Sequence, residues 1–167
     1  MQAIVNVSPD WGIGSNNELL VRIRADMKRF RALTTRNTII VGRKTLLTFP
    51  DGKPLPSREN IVLTRDASFT VDGAVVCRDL DELRILLKER EPDSIYVCGG
   101  ESVYRLLLPY CTKALVTVTY TNKQADRFFP DLDQAQNWIL SEVGPTEMEG
   151  DLKYRFLEYL NTETKKL

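Results

Sequence analysis

The stretch Thr38-Ile39-Ile40-Val41-Gly42-Arg43-Lys44-Thr45-Leu46-Leu47 decides the fold of this chain. Its first part, residues 38–41, is a continuous β-branched run that is typical of a strand buried inside a parallel sheet. Gly42 follows at once, and the residues after it predict a short helix that continues through Leu46 and Leu47. A strand that passes directly into a helix is the building unit of an α/β fold.

The same alternation extends along the first two-thirds of the chain. Further strands are predicted at Ala3–Val7, Asn60–Thr64, Ala74–Cys77 and Ile95–Cys98. Helices are predicted on the apolar face of Met27, Phe30 and Leu33, from a cap at Asp79 through Leu87, and from Glu101 to about Leu108, before Pro109. The last third predicts strands alone, at Leu115–Thr119, Trp138–Leu140 and Tyr154–Leu160.

These elements predict an α/β fold. It has a central, mostly parallel mixed β-sheet of about eight strands, about four flanking helices and an antiparallel C-terminal edge. A chain of 167 residues can bury a sizeable core, so we expect residues 1–167 to form a single domain. The polar end, residues 161–167, is expected to fray.

The composition of the chain argues against several classes of function. Lysine plus arginine and aspartate plus glutamate both total 23, so bulk charge favours neither nucleic acid nor a membrane surface as partner. The N-terminus lacks the pattern of a signal peptide, and no run is apolar enough to span a bilayer. The three cysteines lack Cys-x-x-Cys spacing, so we expect reduced thiols and a cytoplasmic protein. Histidine is absent, and no metal site is predicted.

A lone acid, Asp26, lies near the start of the helix that carries Met27 and Phe30. Apolar neighbours at a strand-to-helix junction can keep a carboxylate partly desolvated and suited to proton or hydrogen-bond chemistry. Asp26 and Phe30 are four residues apart and share one helix face, which suits an acid and a ring that hold a flat, nitrogen-rich heterocycle. The alternative is an acid that only complements the helix dipole. Without histidine, a carboxylate, a cofactor or water must carry any proton transfer.

Three segments that follow predicted strands suit phosphate groups, because ligands of open α/β sheets bind beyond the carboxyl ends of strands. Gly42-Arg43-Lys44-Thr45 combines a glycine turn, two cations and a hydroxyl at a helix start. Gly99-Gly100-Glu101-Ser102-Val103-Tyr104 allows the backbone to approach a ligand closely. Thr64-Arg65 suits a second phosphate, such as the 2′-phosphate of NADP. Neither a P-loop nor a Gly-x-Gly-x-x-Gly fingerprint is present, so a basic surface turn, a tight turn and a surface arginine are the respective alternatives.

Arg58 follows the stiff segment Pro54-Leu55-Pro56-Ser57. Prolines restrict the backbone there, so the guanidinium can be presented rigidly to a carboxylate in a bidentate contact. An ordinary surface cation is the alternative.

Taken in order, these motifs resemble the dihydrofolate reductase family, and the similarity covers Ala3 to about Leu160. The matching segments are Trp11-Gly12-Ile13-Gly14, Asp26–Phe30, Val41–Thr45, Gly52–Thr64, Gly99–Tyr104, Thr117 and Asp126–Pro130. The resemblance implies a bacterial-type, single-domain enzyme that reduces 7,8-dihydrofolate to tetrahydrofolate with NADPH. That product would supply one-carbon metabolism and thymidylate synthesis. The resemblance further implies that antifolate inhibitors bind and that the protein is a monomer.

The resemblance also assigns roles to residues. Asp26 would be the acid that binds the pterin, with Thr117 in support, while water delivers the proton. The substrate-binding positions would be Asn6, Met27, Phe30, Phe49, Leu55 and Arg58, the last one holding the carboxylate of the glutamate tail. The cofactor-binding positions would be Asn6, Ile13, Gly14, Leu19, Gly42, Arg43, Lys44, Thr45, Leu63, Thr64, Arg65, Cys98, Gly99, Gly100, Glu101, Ser102, Val103 and Tyr104. Tyr104 would lie near the nicotinamide, and the Gly99–Gly100 peptide bond is expected to be cis.

The chain departs from the family pattern at three places. Leu19-Leu20-Val21 replaces a frequent Leu-Pro-Trp, Arg24 stands where proline is frequent, and Asn6 stands where a small apolar residue is usual. The missing tryptophan affects how water is ordered near the pterin. The segment Gly14–Ile23, with one glycine and two adjacent asparagines, is predicted to be a mobile loop that gates the site.

Two other functions compete with the reductase. One is a catalytically weak relative that binds folate or nucleotide, and the presence of Asp26, Thr117, Arg58 and the Gly99-Gly100 turn favours an active enzyme over it. The other is a pyrimidine reductase of riboflavin synthesis, which needs neither Arg58 nor a pterin-binding acid four residues before a phenylalanine. The length of the chain is not expected to accommodate a fused thymidylate synthase.

Overall fold

The computed structural model describes all residues from Met1 to Leu167. Its strands are β1 (Gln2–Val7), β2 (Gly12–Ser15), β3 (Glu18–Leu19), β4 (Thr38–Gly42), β5 (Glu59–Leu63), β6 (Ala74–Cys77), β7 (Ile95–Val97), β8 (Lys113–Tyr120), β9 (Arg127–Phe128), β10 (Trp138–Val143), β11 (Glu147–Glu149) and β12 (Leu152–Asn161). Its α-helices are α1 (Arg24–Thr34), α2 (Arg43–Leu47), α3 (Leu80–Leu87) and α4 (Glu101–Leu107). Short 3-10 turns occur at Pro50–Gly52, Pro92–Ser94 and Leu108–Tyr110.

A nine-stranded mixed sheet forms the centre of the molecule, in the order β10-β12-β8-β1-β7-β4-β5-β6, with β11 paired to β12. All pairings from β8 to β6 are parallel, whereas β12 pairs antiparallel with β8, β10 and β11. The predicted α/β fold, with its parallel body, four helices and antiparallel C-terminal edge, is confirmed. Strand β4, which passes directly into α2, pairs with β5 and β7 and is fully buried from Ile39 to Val41.

Alternation along the strands distributes the helices to the two faces of the sheet. On one face, Ile40 and Val97 belong to the large core of 24 buried residues that contains Leu83 of α3 and Leu107 of α4. On the other face, Ile39 packs with Phe30 and Leu33 of α1, and Val41 packs with Leu46 of α2. The two faces together bury the central strands completely, which explains why they consist of continuous apolar residues.

A second, three-stranded antiparallel sheet of β3, β2 and β9 stands beside the main sheet. The sequence pattern did not predict these strands, because strands of two to four residues show too little periodicity. Trp11, just before β2, stacks on Phe129, just after β9, with ring centroids 6.1 Å apart. This stacking belongs to the large core, so the small sheet is anchored at that end.

The predicted helix from Glu101 to about Leu108 is confirmed, whereas the prediction for the C-terminal end was wrong. α4 ends at Leu107, and Pro109 lies inside the following 3-10 turn, where its missing N–H needs no partner. The C-terminal residues do not fray: the amides of Thr162 and Lys165 donate to the carbonyls of Asn137 and Pro109 at 2.8 and 2.9 Å. No helix in the structure combines the length and the apolar character that crossing a lipid bilayer demands.

Candidate active site

A cleft of about 1070 Å³ lies beyond the carboxyl ends of the parallel strands. Every residue predicted to bind the cofactor lines it, from Asn6 at the end of β1 to Tyr104 in α4. Three contiguous segments supply most of the wall, namely 42–45 after β4, 63–65 at the end of β5, and 98–104 after β7. Parallel strands end at the same edge of the sheet, and this common edge is why segments far apart in sequence meet here.

Glycines at the cleft allow two chain segments to pack closely. The amide of Gly42 donates to the carbonyl of Gly99 at 2.8 Å. A Cβ on Gly42 would lie 3.2 Å from the Val103 side chain, and one on Gly100 would lie 3.2 Å from the Thr45 hydroxyl. Gly99 has φ of +110°, where side chains are rarely tolerated, and a Cβ there would lie 3.1 Å from the Tyr104 ring. The Gly99–Gly100 peptide bond is cis, as the resemblance implied.

Positive side chains lie along the same cleft. Arg43, Lys44 and Arg65 were predicted there, and the structure adds Arg78, which follows β6. Arg78 directly follows a predicted strand, and this position was the signal in the sequence that could have identified it as a cleft residue. Asp66 also lines the cleft and pairs with Arg43 at 2.6 Å. Hydrogen bonds from Ser68 are the main reason that the pKa of Asp66 lies below its ordinary value.

Asp26 lies in the first turn of α1, and strands β1 and β8 hold its carboxylate. The Thr117 hydroxyl donates to Oδ1 at 2.5 Å, and the Asn6 amide donates to Oδ2 at 3.2 Å. Thr119 in turn donates to the side-chain carbonyl of Asn6 at 2.8 Å, which orients the amide so that its NH₂ group faces Asp26. Thr117 is paired with Asn6 in the parallel register of β1 and β8, so the sheet itself sets the spacing of the two donors.

Burial raises the pKa of Asp26 above its ordinary value of 3.8. The hydrogen bonds from Thr117 and Asn6 and the charge of Arg29 oppose this shift, because each stabilises the ionised form. Arg29 lies one helical turn after Asp26, with its guanidinium carbon 4.5 Å from the centroid of the Phe156 ring. Its Nη1 atom is buried and has no protein partner.

An apolar wall adjoins this acid. Phe30, Phe49 and Leu55 pack against one buried cluster, made up of Ile4, Ile39, Tyr96 and Leu115. Met27 lies outside this cluster and is 42% exposed. The wall therefore joins α1 to the loop before β5, as expected for one side of a channel that holds a flat ring.

Arg58 is half-buried at the far end of that wall. Its Nη1 donates to the Thr34 hydroxyl at 3.2 Å, and its Nε donates to the carbonyl of Pro56 at 2.9 Å. Asn60, which is 2% exposed, donates to the carbonyls of Leu55 and Arg58 and accepts from the Leu55 amide. This role of Asn60 was not predicted, because the only signal was a polar side chain at the start of an apolar strand.

Tyr104 lines the cleft but is almost completely buried. Its hydroxyl donates to the carbonyl of Ile4 at 2.7 Å, and its ring packs edge-to-face with that of Phe129, with ring centroids 4.7 Å apart. Burial raises the pKa of this phenol well above its ordinary value, so the hydroxyl stays protonated. Tyr104 thereby ties α4 to the strand that carries Asn6.

The segment Gly14–Ile23, expected to be a loop, is partly a β-hairpin. Gly14 pairs with Leu19 and Ser15 with Glu18 across a turn in which Asn16 and Asn17 have φ of 53° and 62°. Asparagine tolerates this left-handed backbone better than most residues, which explains the paired asparagines. Ile13, Gly14 and Leu19, which are among the residues predicted to bind the cofactor, line the cleft.

Comparisons with known proteins agree with this geometry. The family model described as "Dihydrofolate reductase" matches residues 1–161. The dihydrofolate reductase of Bacillus subtilis (strain 168) is 32% identical over 156 residues, covering 92% of this chain and 90% of the relative. That of Mycobacterium leprae (strain TN) is 36% identical over 156 residues, covering 88% and 89%.

A solved structure is similar as well. Dihydrofolate reductase from Enterococcus faecalis, complexed with NADP(H) and RAB-propyl, superposes with a TM-score of 0.85 at 26% identity and covers 96% of this chain and 95% of its own. The match of the family model over nearly the whole chain, the relatives above 30% identity and this structure point the same way. The chain belongs to the dihydrofolate reductase family.

Proposed function

We propose that this protein reduces 7,8-dihydrofolate to 5,6,7,8-tetrahydrofolate with NADPH as the hydride donor. One observation carries the proposal: Asn6 lines the glycine-walled cleft and also donates to the carboxylate of Asp26. A cofactor in the cleft and a heterocycle on the acid would therefore share a boundary at a single residue. Such contact is what direct hydride transfer between two bound molecules requires.

The cleft fits a dinucleotide phosphate. Gly42, Gly99 and Gly100 line the cleft and present no side chain, so a pyrophosphate can approach their backbone closely. The side chains of Arg43, Arg65 and other cations in the cleft supply the charge that a 2′-phosphate needs. Bound NADPH would supply the hydride, while the protein orients both partners.

Asp26 supplies recognition of the pterin. Each of its oxygens accepts one hydrogen bond from the protein and keeps further acceptor capacity for the ring N–H and the amino group of the substrate. Its negative charge favours the protonated form of the bound ring. Asp26 binds the edge of the ring away from the reduced bond, so water delivers the proton to the imine nitrogen.

The remaining groups position the substrate. The wall of Phe30, Phe49 and Leu55 packs on the ring and the aromatic linker, with Met27 at its solvent side. Arg58 binds the α-carboxylate of the glutamate tail, because Asn60 and Thr34 present it rigidly at the end of this wall. The hairpin of β2 and β3 closes over the cleft and excludes water.

The wider role follows from the reaction. Tetrahydrofolate produced here supplies one-carbon metabolism and thymidylate synthesis in the cytoplasm. Antifolates that carry a protonated heterocycle bind at Asp26 in place of the substrate. The chain acts as a monomer with one domain spanning residues 1–167.

The test is the oxidation of NADPH, followed by its near-ultraviolet absorbance, when purified protein is mixed with dihydrofolate. We expect rapid oxidation by the unmodified protein and severe loss in Asp26→Asn, with both proteins folded by circular dichroism. Binding of both ligands without oxidation would replace the proposal with a weak binding relative. Near-normal turnover by Asp26→Asn would remove Asp26 from its assigned role.

A further inference from the structure

The helix that carries Asp26 does not cap itself. Ile23 occupies the N-cap position of α1, and its side chain makes no capping hydrogen bond. The first N–H groups of a helix have no partner within the helix, so they need an acceptor from elsewhere. Ile23 is only 1% exposed, whereas Arg24, which carries the first free amide, is exposed, so a partner from outside the helix can reach this end.

Glu149 supplies the missing acceptor from the far end of the chain. One of its carboxylate oxygens accepts from the Arg24 amide at 2.8 Å, and the other accepts from the Ala25 amide at 3.3 Å. These are the two residues directly before Asp26. A carboxylate at a helix N-terminus also interacts favourably with the helix dipole.

The hairpin of β11 and β12 that carries Glu149 is also tied to the strand behind Asp26. Glu149 pairs with Leu152 at the tip of this hairpin, where Gly150 has φ of 59°. Further along β12, Phe156 lies under the Arg29 guanidinium and pairs in register with Thr117 of β8. The β11–β12 hairpin therefore contacts both the backbone just before Asp26 and strand β8, whose Thr117 hydroxyl binds the Asp26 carboxylate.

We propose that Glu149 is a positioning residue for Asp26. It fixes the first turn of α1 against the β11–β12 hairpin, so that the Asp26 carboxylate stays in line with Thr117 and Asn6. It also fixes the point where the gating segment Gly14–Ile23 ends. The inference rests on the proposed function for its catalytic consequence, whereas the cap itself is a property of the fold.

Arg24 provides a way to test the cap. It occupies the first helical position, and Ile23 before it has φ of −115° and ψ of 127°, which is compatible with a following proline. Proline is favoured at this position and has no N–H, so Arg24→Pro removes one of the two donors without opposing the helix. The Glu149 contact should then matter less.

The experiment compares Glu149→Ala, Glu149→Gln and Glu147→Gln. Glu147 lies on the same strand and accepts from the Tyr154 hydroxyl rather than from α1, so its substitution is the charge-matched control. We expect Glu149→Ala to lower kcat/KM for dihydrofolate about three- to tenfold, because the first turn of α1 then holds the Asp26 carboxylate less firmly. KM for NADPH should stay constant, Glu149→Gln should recover part of the loss through its remaining oxygen, and Glu147→Gln should resemble the unmodified protein.

Amide hydrogen exchange tests the cap without using activity. Protection of the Ala25 amide should fall in Glu149→Ala and persist in Glu147→Gln. Glu149→Ala should lower the melting temperature by less in the Arg24→Pro variant than in the unmodified protein. Unchanged Ala25 protection, or full additivity with Arg24→Pro, would refute the cap. Lost protection with equal losses toward dihydrofolate and NADPH would refute the positioning role. A protein without reductase activity would overturn the proposed function and leave the exchange result standing.

Discussion

The cleft and the acid site are built in different ways. The cleft is made of contiguous segments, each a strand end with the turn after it, such as 42–45 and 98–104. The acid site is assembled from single side chains distant in sequence, since Asp26 is 20 residues from Asn6 and 91 from Thr117. Local segments can keep their shape when one side chain changes, whereas an assembled site depends on every distant partner. The predictions below test this difference.

The largest effect is expected at the centre of the assembled site. Asp26→Asn should lower turnover at neutral pH about 10²- to 10⁴-fold, because an amide cannot supply the charge that favours the protonated pterin. Single-turnover hydride transfer, measured with both ligands saturating, gives the value. A loss confined to KM would show that Asp26 contributes only to ground-state binding.

Gly99→Ala tests the local construction of the cleft. Its φ of +110° and the Tyr104 ring at 3.1 Å oppose a Cβ, so we expect about 1–3 kcal/mol lower unfolding free energy. NADPH affinity should fall more than dihydrofolate affinity in the folded fraction. Gly150→Ala is the matched control, because Gly150 has φ of +59° but nothing lies within 4 Å of its Cβ position. Equal losses of NADPH affinity in both variants would show that the close packing at Gly99 does not shape the cofactor cleft.

Arg58→Leu tests whether the far end of the wall recognises the substrate tail. Dihydrofolate affinity should fall about tenfold or more, the cost of losing a charge-assisted bidentate contact, while NADPH affinity stays unchanged. Binding of each ligand is measured separately by fluorescence titration. Equal losses for the two ligands would refute the role of Arg58 as the tail clamp.

Arg29→Met tests how the charge of Arg29 affects the pKa of Asp26. The charge of Arg29 lowers the pKa of Asp26, so its removal should move that pKa further above the ordinary carboxyl value. Methionine keeps part of the packing on Phe156. Carbon-13 NMR of the Asp26 carboxyl measures the shift, with exposed Lys28→Met on the same helix as the control. An unchanged Asp26 titration would show that the guanidinium is screened from the acid.

The smallest effect concerns how the free energy of unfolding depends on pH. The folded pKa of Asp26 lies above 3.8, so the folded state binds this proton more tightly than the unfolded state. The free energy of unfolding therefore falls as pH rises through the folded pKa. Asp26→Asn should be more stable than the unmodified protein at neutral pH by roughly 0.5–2 kcal/mol, and its advantage should shrink in acid.

Melting curves across pH, with the exposed Asp72→Asn as control, test this expectation. A constant difference between Asp26→Asn and the unmodified protein at every pH would contradict it.

The regular elements were predictable wherever one period of hydrophobicity extended far enough. The fully buried strand at 38–41 and the Asp79 cap, which accepts from the Glu82 amide at 2.9 Å, were both predicted. The hairpin of β2 and β3 and its partner β9 were not predicted, because each strand is short. In addition, β2 and β9 are more than a hundred residues apart in the sequence. The tail after Asn161 was also misjudged, since its order comes from distant carbonyls.

The sequence by itself determined the alternation of strands and helices, the family, and the contiguous segments 42–45, 63–65 and 98–104 of the cleft, because these depend on local pattern and on contiguous motifs. Only the tertiary structure decided how Asn6, Thr117 and Thr119 orient Asp26, how Asn60 holds Arg58, and that Glu149 caps the helix that carries Asp26. Polar partners of this kind need only one donor or acceptor at the right distance. No periodicity records such a contact, and the packing of the sheet against its neighbours selects which residues make it.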